Sequence, residues 1–416
     1  MSWVEVELSE ICSVTNGGSW TTKEFVSVGV PVIKVSSLKE DGIVDDEIAY
    51  LPYDYISSYS EKIVRENDLI VTTVGSHPQL KSSAAGRGFR ISKDNEGYFL
   101  NQNIVLLKSK DEDKLDQCYL AYLGKSPNFT HFIQQTGRGA ANQMRIPIRG
   151  IKKFKIPLPP LPTQKRIASI LSAYDDLIEN NLKRIQLLEE AAQHIYKEWF
   201  VHFRYPGHEE VPIDEESGLP EGWEMKKTLD IMDISGGGTP STKNPAYWEN
   251  GNLKWFSPTD LSKSSSLILT DSAKKITTEG LNNSSAKLLP PKTILMSSRA
   301  TIGLFGLIDH ECSTNQGFIN IIPKEEYLRY YILFNLMNRK NEIIAKASGA
   351  TFKEISKRTF KDLDFPLPPQ ATCTSFQNIC QPLLSKVKNL VEQNLALKEA
   401  RDILLPRLMN RTIRVD

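Results

Sequence analysis

Ile156-Pro157-Leu158-Pro159-Pro160 recurs as Phe365-Pro366-Leu367-Pro368-Pro369, and a long helical pattern follows each string. The offset of 209 also relates Thr163 to Thr372, Ile170 to Ile379, Asn180 to Asn389, Leu188 to Leu397, Glu190 to Glu399 and Ala191 to Ala400. Proline has no amide donor and disfavours helix in its predecessor, so each string reads as an extended entry to a helix. Thr163 and Thr372 then stand where an N-cap is wanted. Upstream parts match at a slightly different offset. Trp3, Ile11 and Asn16-Gly17-Gly18 resemble Trp223, Ile231 and Gly236-Gly237-Gly238, and Asn101-Gln102-Asn103-Ile104 resembles Asn315-Gln316-Gly317-Phe318. A period near 210 is far beyond a solenoid unit. The chain is one module written twice, a globular part followed by a helix.

The helices carry apolar seams. With Leu171 at position a, the first seam is Ile167, Leu171, Tyr174, Ile178, Asn181, Ile185, Leu188, Ala192, Ile195 and Trp199. The second is Phe376, Cys380, Leu383, Val387, Leu390, Asn394, Leu397, Arg401, Leu404 and Leu408. A helix over 163–200 would reach roughly 55 Å, longer than a core in a globule of this size, so the seams must bury against each other. Two ordinary core helices in separate domains are the plainer alternative. If the pair is antiparallel about a pseudo-twofold axis, Asn181 and Asn394 meet near its centre and set register through their amides. Pro382, aligned with Ala173, should kink the second helix or delay its start.

The globular parts mix Val30-Pro31-Val32-Ile33-Lys34-Val35, Leu69-Ile70-Val71-Thr72-Thr73-Val74 and Thr293-Ile294-Leu295-Met296 as strands with turn-rich loops. Leu115 to Leu123 and Tyr327 to Asn338 read as amphipathic helices. The expected fold is α+β: two similar globular domains separated by two long helices packed as an antiparallel coiled coil, with internal pseudo-twofold symmetry. The boundaries are a first globule over 1–155, a Pro-rich entry and helix over 156–200, a linker over 201–222, a second globule over 223–365, and a second entry and helix over 366–410.

The 416 residues are 40% hydrophobic and 24% charged, enough for sizeable cores and unlike a disordered chain. Lys and Arg number 51 against 50 for Asp and Glu, which argues against a polybasic nucleic-acid binder only as an average. Locally the charges separate. Residues 1–80 hold 5 basic and 13 acidic side chains, whereas 81–162 hold 14 basic and 6 acidic. Gln134 to Lys155 has six basic residues and no acidic one, and Arg339 to Lys361 has seven basic residues against Glu342 and Glu354. Either segment suits a polyanion, or a solvated face balanced by acidic neighbours. Cys12, Cys118, Cys312, Cys373 and Cys380 form no CxxC, and no secretory signal or apolar membrane span is present. Reduced thiols in a cytoplasmic protein are expected.

Catalytic motifs fail on inspection. Asn244-Pro245-Ala246-Tyr247 is one substitution from the Asn-Pro-Pro-Tyr string of amino-group methyltransferases, but no G-x-G-x-x-G unit precedes it. Gly124-Lys125-Ser126 ends like a P-loop, yet Tyr119 stands where the first glycine is required. The histidines His77, His131, His194, His202, His208 and His310 have no metal-ligand spacing, and there is no G-x-S-x-G elbow. No catalytic residue and no metal ligand is assigned.

The layout resembles the specificity subunits of type I restriction-modification systems over essentially its full length. The strings that carry the resemblance include Asn16-Gly17-Gly18 after Trp3, the Pro-rich string with Thr163-Gln164, and Phe200-Val201-His202-Phe203-Arg204-Tyr205-Pro206-Gly207-His208. Leu219-Pro220-Glu221-Gly222-Trp223, Gly237-Gly238-Thr239-Pro240-Ser241-Thr242, Leu295 to Gly303 with Asn315-Gln316, and Leu404-Leu405-Pro406-Arg407-Leu408-Met409 complete it. The resemblance implies two target-recognition domains, each reading half of a split double-stranded DNA target, with the helices fixing the unread spacer. It implies no chemistry in this chain. Two copies of a methyltransferase subunit would bring S-adenosylmethionine, and motor-nuclease subunits would use ATP and Mg2+.

On that reading, phosphate contacts are expected from Arg138, Arg145, Arg149, Lys152 and Lys153 in the first half, and from Lys346, Lys353, Lys357 and Arg358 in the second. Base readers are sought among loop residues: Thr73, Ser76, His77, Gln79, Lys81 and Arg87, then Lys243, Thr259, Asp260, Ser298 and Arg299. Two other classes remain in view, a methyltransferase with its own recognition domain and a scaffold built on a coiled coil. S-adenosylmethionine binding by the isolated chain distinguishes the first, and absence of sequence-specific DNA binding the second.

Overall fold

Both Pro-rich strings end as strands that close a globule on itself. Lys155–Leu158 pairs antiparallel with Val4–Glu7, and Asp364–Leu367 pairs antiparallel with Glu224–Lys227. The computed structural model describes residues 3–39, 42–43, 48–75, 85–139, 144–349 and 353–415. The chain divides into two compact units, one running up to Asp176 and resuming at Leu397, the other Leu177–Ala396. Each therefore holds one globule and part of each long helix.

The duplication is visible strand by strand. In the first unit a four-stranded antiparallel sheet runs Cys12–Asn16, Ile104–Ser109, Leu69–Thr72, Gly88–Arg90. Its counterpart in the second runs Met232–Gly236, Phe318–Pro323, Ile294–Ser297, Phe305–Leu307. Three-stranded sheets repeat likewise. Val30–Ile33 lies between Phe99–Leu100 (parallel) and Ala49–Leu51, as Leu253–Phe256 lies between Ser313–Thr314 (parallel) and Lys274–Ile276. The central strands Leu69–Thr72 and Ile294–Ser297 are buried at every position, as their unbroken apolar reading requires. Helices form where they were expected, Gln117–Lys125 and Arg329–Asn338, but they are core helices and not amphipathic ones: Tyr119 to Gly124 and Arg329 to Leu336 are buried at every position.

The long helices are α1 (Leu161–Phe200) and α2 (Gln370–Met409), 40 residues each. They begin earlier than the threonines suggested. The carbonyl of Pro160 accepts from the amides of Thr163 and Gln164, and that of Pro369 from Thr372 and Cys373, so the last proline of each string occupies the N-cap. Pro162 falls in the first turn, where no amide donor is needed. Nor does Pro382 interrupt α2. Pro382 and Asn378, whose carbonyl loses its partner, both lie on the exposed side of the helix.

Within the second unit α1 and α2 pack antiparallel. Ile185, Ala192 and Trp199 share a core with Phe376, Cys380, Val387 and Leu390. Phe200 meets Phe376 edge to face at 4.9 Å and Tyr331 at 5.1 Å, contacts worth about 0.5–1.5 kcal/mol each beyond their burial. In the first unit the opposite ends meet, with Ile167 and Leu171 in one core with Leu405 and Leu408. Seam positions Ile167, Leu171, Ile178, Asn181, Ile185, Ala192 and Trp199 are all buried, whereas off-seam Leu177 and Leu187 are exposed. Segment 201–222 packs on the second unit: Tyr205 is buried beside Trp223, and Phe203 meets Trp223 edge to face at 5.3 Å. No helix among the described residues is long and apolar enough to cross a membrane.

Candidate nucleic-acid interface

The two glycine-rich turns close against the two Asn-Gln turns, once in each unit. A Cβ on Gly17 would lie 1.9 Å from the carbonyl oxygen of Asn101, and one on Gly237 would lie 2.1 Å from that of Asn315. Only glycine permits so close an approach. The amide of Gly18 donates to the carbonyl of Leu100, and that of Gly238 to Thr314. The following hydroxyls then reach across: Ser19 donates to Oε1 of Gln102 at 3.2 Å, and Thr239 to Oε1 of Gln316 at 2.5 Å. Gln102 and Gln316 are both exposed.

A strand end packs behind each turn. Thr73 donates its amide to Asn103 and accepts from Ile146, as Ser298 donates to Gly317 and accepts from Ile355. Beside these residues runs a short ladder. In the first unit Val74 pairs with Arg145, which pairs in turn with Arg138. In the second, Arg299 pairs with Glu354, which pairs with Ser348. The ladder framework repeats while its side chains change.

The structure gathers several of the proposed phosphate contacts here. Arg138 and Arg145 exchange backbone hydrogen bonds at 2.9 Å, and both are exposed. Two cations on adjacent strands repel unless an anion joins them. Arg149 and Lys152 lie on the short helix Ile148–Lys152, with Lys153 following, and all three are exposed. Lys357 and Arg358 begin the equivalent helix Lys357–Lys361. The Lys357 ammonium lies where a Cβ on Gly236 would come within 2.1 Å, which lays a cation across the end of the strand before the glycine turn. Lys353 is exposed. Lys346 is the C-cap of Lys340–Ala345 and lies 3.9 Å from Glu342.

The proposed base readers fare unevenly. Ser76, His77, Gln79 and Lys81 lie outside the described residues. Arg299 stands beside Gln316, its Nε 3.3 Å from where a Gly317 Cβ would be. Thr73 and Arg87 are half-buried, and the Arg87 carbonyl accepts from Thr72. Lys243 and Thr259 are exposed, on the Ser241–Asn244 turn and on the helix Pro258–Lys263. Two residues serve the fold instead. Ser298 is only 2% exposed. Asp260 spends both carboxylate oxygens locally, one on the amide and hydroxyl of Ser257 and the other on the amide of Ala273. Gln102, Gln316, Ser19 and Thr239 were absent from the expected contacts, although the repeated Asn-Gln pair marked their position.

The motifs set aside above have structural employment. Asn244 caps the turn Pro245–Tyr247 through the amide of Ala246. Lys125 meets Asp175 at 3.1 Å, and Ser126 caps Pro127–Gln135. Asp175, nearly buried on α1, also accepts from the Tyr122 hydroxyl at 2.8 Å and from Arg401 of α2 at 2.6 Å. Burial raises its carboxyl pKa, but Lys125 and Arg401 outweigh that and hold it at about 2. Burial pushes the thiols of Cys12, Cys312, Cys373 and Cys380 up to about 12. Such thiols are protonated and unreactive at neutral pH.

Two copies of one α+β unit, each setting exposed cations beside a backbone ladder whose side chains differ between the copies, define a duplicated DNA-specificity protein. Residues 1–190 and 220–398 match the family described as type I restriction modification DNA specificity domain, and the chain belongs to that family. It is 26% identical to the type I restriction enzyme MjaIX specificity subunit of Methanocaldococcus jannaschii, over 100% of this chain and 94% of that one. It is 23% identical to the HindI specificity subunit of Haemophilus influenzae, over 84% of this chain and 87% of that one. In fold it is similar to the crystal structure of a type I restriction-modification S subunit from M. genitalium, with a TM-score of 0.58, 15% identity, and 98% and 96% of the two chains covered.

Proposed function

We propose that each unit reads one half of a bipartite double-stranded DNA target, and that α1 and α2 set the unread spacer between the halves. The observation that carries this is the duplicated site: one backbone framework, repeated, with different side chains on its ladder. Val74 in one copy against Arg299 with Glu354 in the other would favour different bases. Exposed cations, Arg138, Arg145, Arg149, Lys152, Lys153, Lys353, Lys357 and Arg358, supply the sequence-independent attraction to phosphate.

The chain acts without catalysis of its own, as the sequence-reading subunit of a cytoplasmic complex. A methyltransferase subunit in two copies brings S-adenosylmethionine, and a motor-nuclease subunit brings ATP and Mg2+. The uses already found for the Asn244 turn and for Lys125 support this division. Sequencing modified bases in cells with and without the gene tests the reading. One bipartite motif of fixed spacer should vanish on deletion. A continuous motif, or no change, overturns it. Calorimetry of the isolated chain with S-adenosylmethionine should show no binding, and tight binding would favour a self-contained methyltransferase.

A further inference from the structure

The part of the site that does not vary invites its own explanation. At the ladder the two units differ residue by residue: Val74 against Arg299, Arg145 against Glu354, Arg138 against Ser348. Beside that changing ladder both keep the same three-part device. A glycine is pressed onto an asparagine carbonyl, the second residue after it bears a hydroxyl, and that hydroxyl holds the amide oxygen of a glutamine. A primary amide has one oxygen and two N–H donors. With the oxygen engaged by Ser19 or Thr239, the two Nε2 donors of exposed Gln102 or Gln316 are left for a ligand.

An exposed neutral hydrogen bond of this kind contributes little to stability, on the order of 1 kcal/mol. Holding two surface turns together is thus a small return for keeping one geometry twice. Identical donors beside unlike ladders are suited to a feature that both halves of a target share. Among the parts of duplex DNA, the sugar-phosphate backbone is common to every sequence, and neutral amide side chains are regular donors to phosphate oxygens.

We infer that Gln102 and Gln316 are paired phosphate-backbone contacts, pre-oriented by Ser19 and Thr239, that dock each unit on its half-target without reading its bases. The inference rests on the DNA-reading function proposed above. Because the donors are neutral, they displace no counterion of their own. They should therefore differ from the lysine and arginine contacts in one measurable respect, the salt dependence of binding.

The test uses the chain assembled with its methyltransferase subunit, titrated on two duplexes, one carrying the motif found by modified-base sequencing and one of arbitrary sequence. Gln102→Ala and Gln316→Ala should each weaken binding about threefold to tenfold on both duplexes alike. The slope of log affinity against log salt should stay at the wild-type value. Gln102→Glu and Gln316→Glu keep the oxygen that Ser19 or Thr239 holds, but replace the donors with a charge that repels phosphate. They should bind more weakly than the alanine variants. Wild-type affinity in the alanine or glutamate variants overturns the inference, and so does weakening confined to the motif duplex, which would make the residues base readers. A change in salt slope in the alanine variants also counts against it. If the wild-type complex itself fails to prefer the motif duplex, the DNA-reading function is what fails.

Discussion

Nδ2 of Asn181 donates to Oδ1 of Asn394 at 2.9 Å, inside the apolar seam where α1 and α2 cross in the second unit. Nδ2 of Asn394 donates onward to the carbonyl of Ile178 at 3.3 Å, and each asparagine is only 5% exposed. A slip of either helix by one turn would bury two amides against leucine and isoleucine.

Removing one partner should therefore cost more than removing both. Asn394→Ala leaves the Asn181 amide buried without its acceptor and should destabilise the protein by about 1–3 kcal/mol. Asn181→Leu with Asn394→Leu should regain or exceed wild-type stability while loosening register. Denaturant unfolding checks the order. A double variant less stable than the single would show that the amides contribute more than register.

Asp175 ties α2 to the first unit through Arg401 and to Gln117–Lys125 through Tyr122 and Lys125. Asp175→Asn takes the carboxylate from half-buried Lys125 and Arg401 and should cost about 1–3 kcal/mol, since Arg401 keeps Asp402. The pH dependence has a definite sign. A carboxyl held at about 2, below its ordinary value near 4, stabilises the fold fully above pH 4 and ceases to do so as pH falls through 2. Acid unfolding of the wild type should show this loss, and the Asn variant should lack it.

Arg145→Ala with Lys152→Ala should weaken binding to all duplexes to a similar extent and lower the salt slope by roughly 0.9 for each lost contact. An unchanged slope in a titration series would remove both residues from the phosphate surface.

Four residues inserted near Arg184 lengthen α1 by about 6 Å. If the helices set the spacer, methylation should move to sites with a different spacer and fall at the original one. Modified-base sequencing reads this directly, and an undiminished rate at the original spacer contradicts the role.

The helical frame was legible because burial along a paired seam follows a seven-residue repeat, and Ile167 through Trp199 lie where that repeat puts them. Pro382 was misleading because a proline's effect depends on which face it occupies, and Pro382 and Asn378 both lie on the exposed side of α2. Thr163 and Thr372 looked like caps by residue type, yet the preceding prolines hold that position through their carbonyls. The site was less readable. Asp260 and Ser298 are polar loop residues like any base reader, and only the contacts of their neighbours show that they serve the fold. Gln102 and Gln316 are exposed, carry no charge and follow no period. Their meaning appears only when Ser19 and Thr239, more than seventy residues away in each case, are brought against them.

The burial of Tyr205 and the edge-to-face contact of Phe203 with Trp223 bear on how the chain survives damage. Residues Pro212 to Gly218 are exposed and form the natural place for a protease to cut. The segment ahead of the cut remains anchored by Phe200, Phe203 and Tyr205, and the segment behind it by Trp223. A nicked chain should thus run as two bands when denatured and as one particle when native, its reading surfaces still held in place by aromatic contacts instead of by the peptide bond.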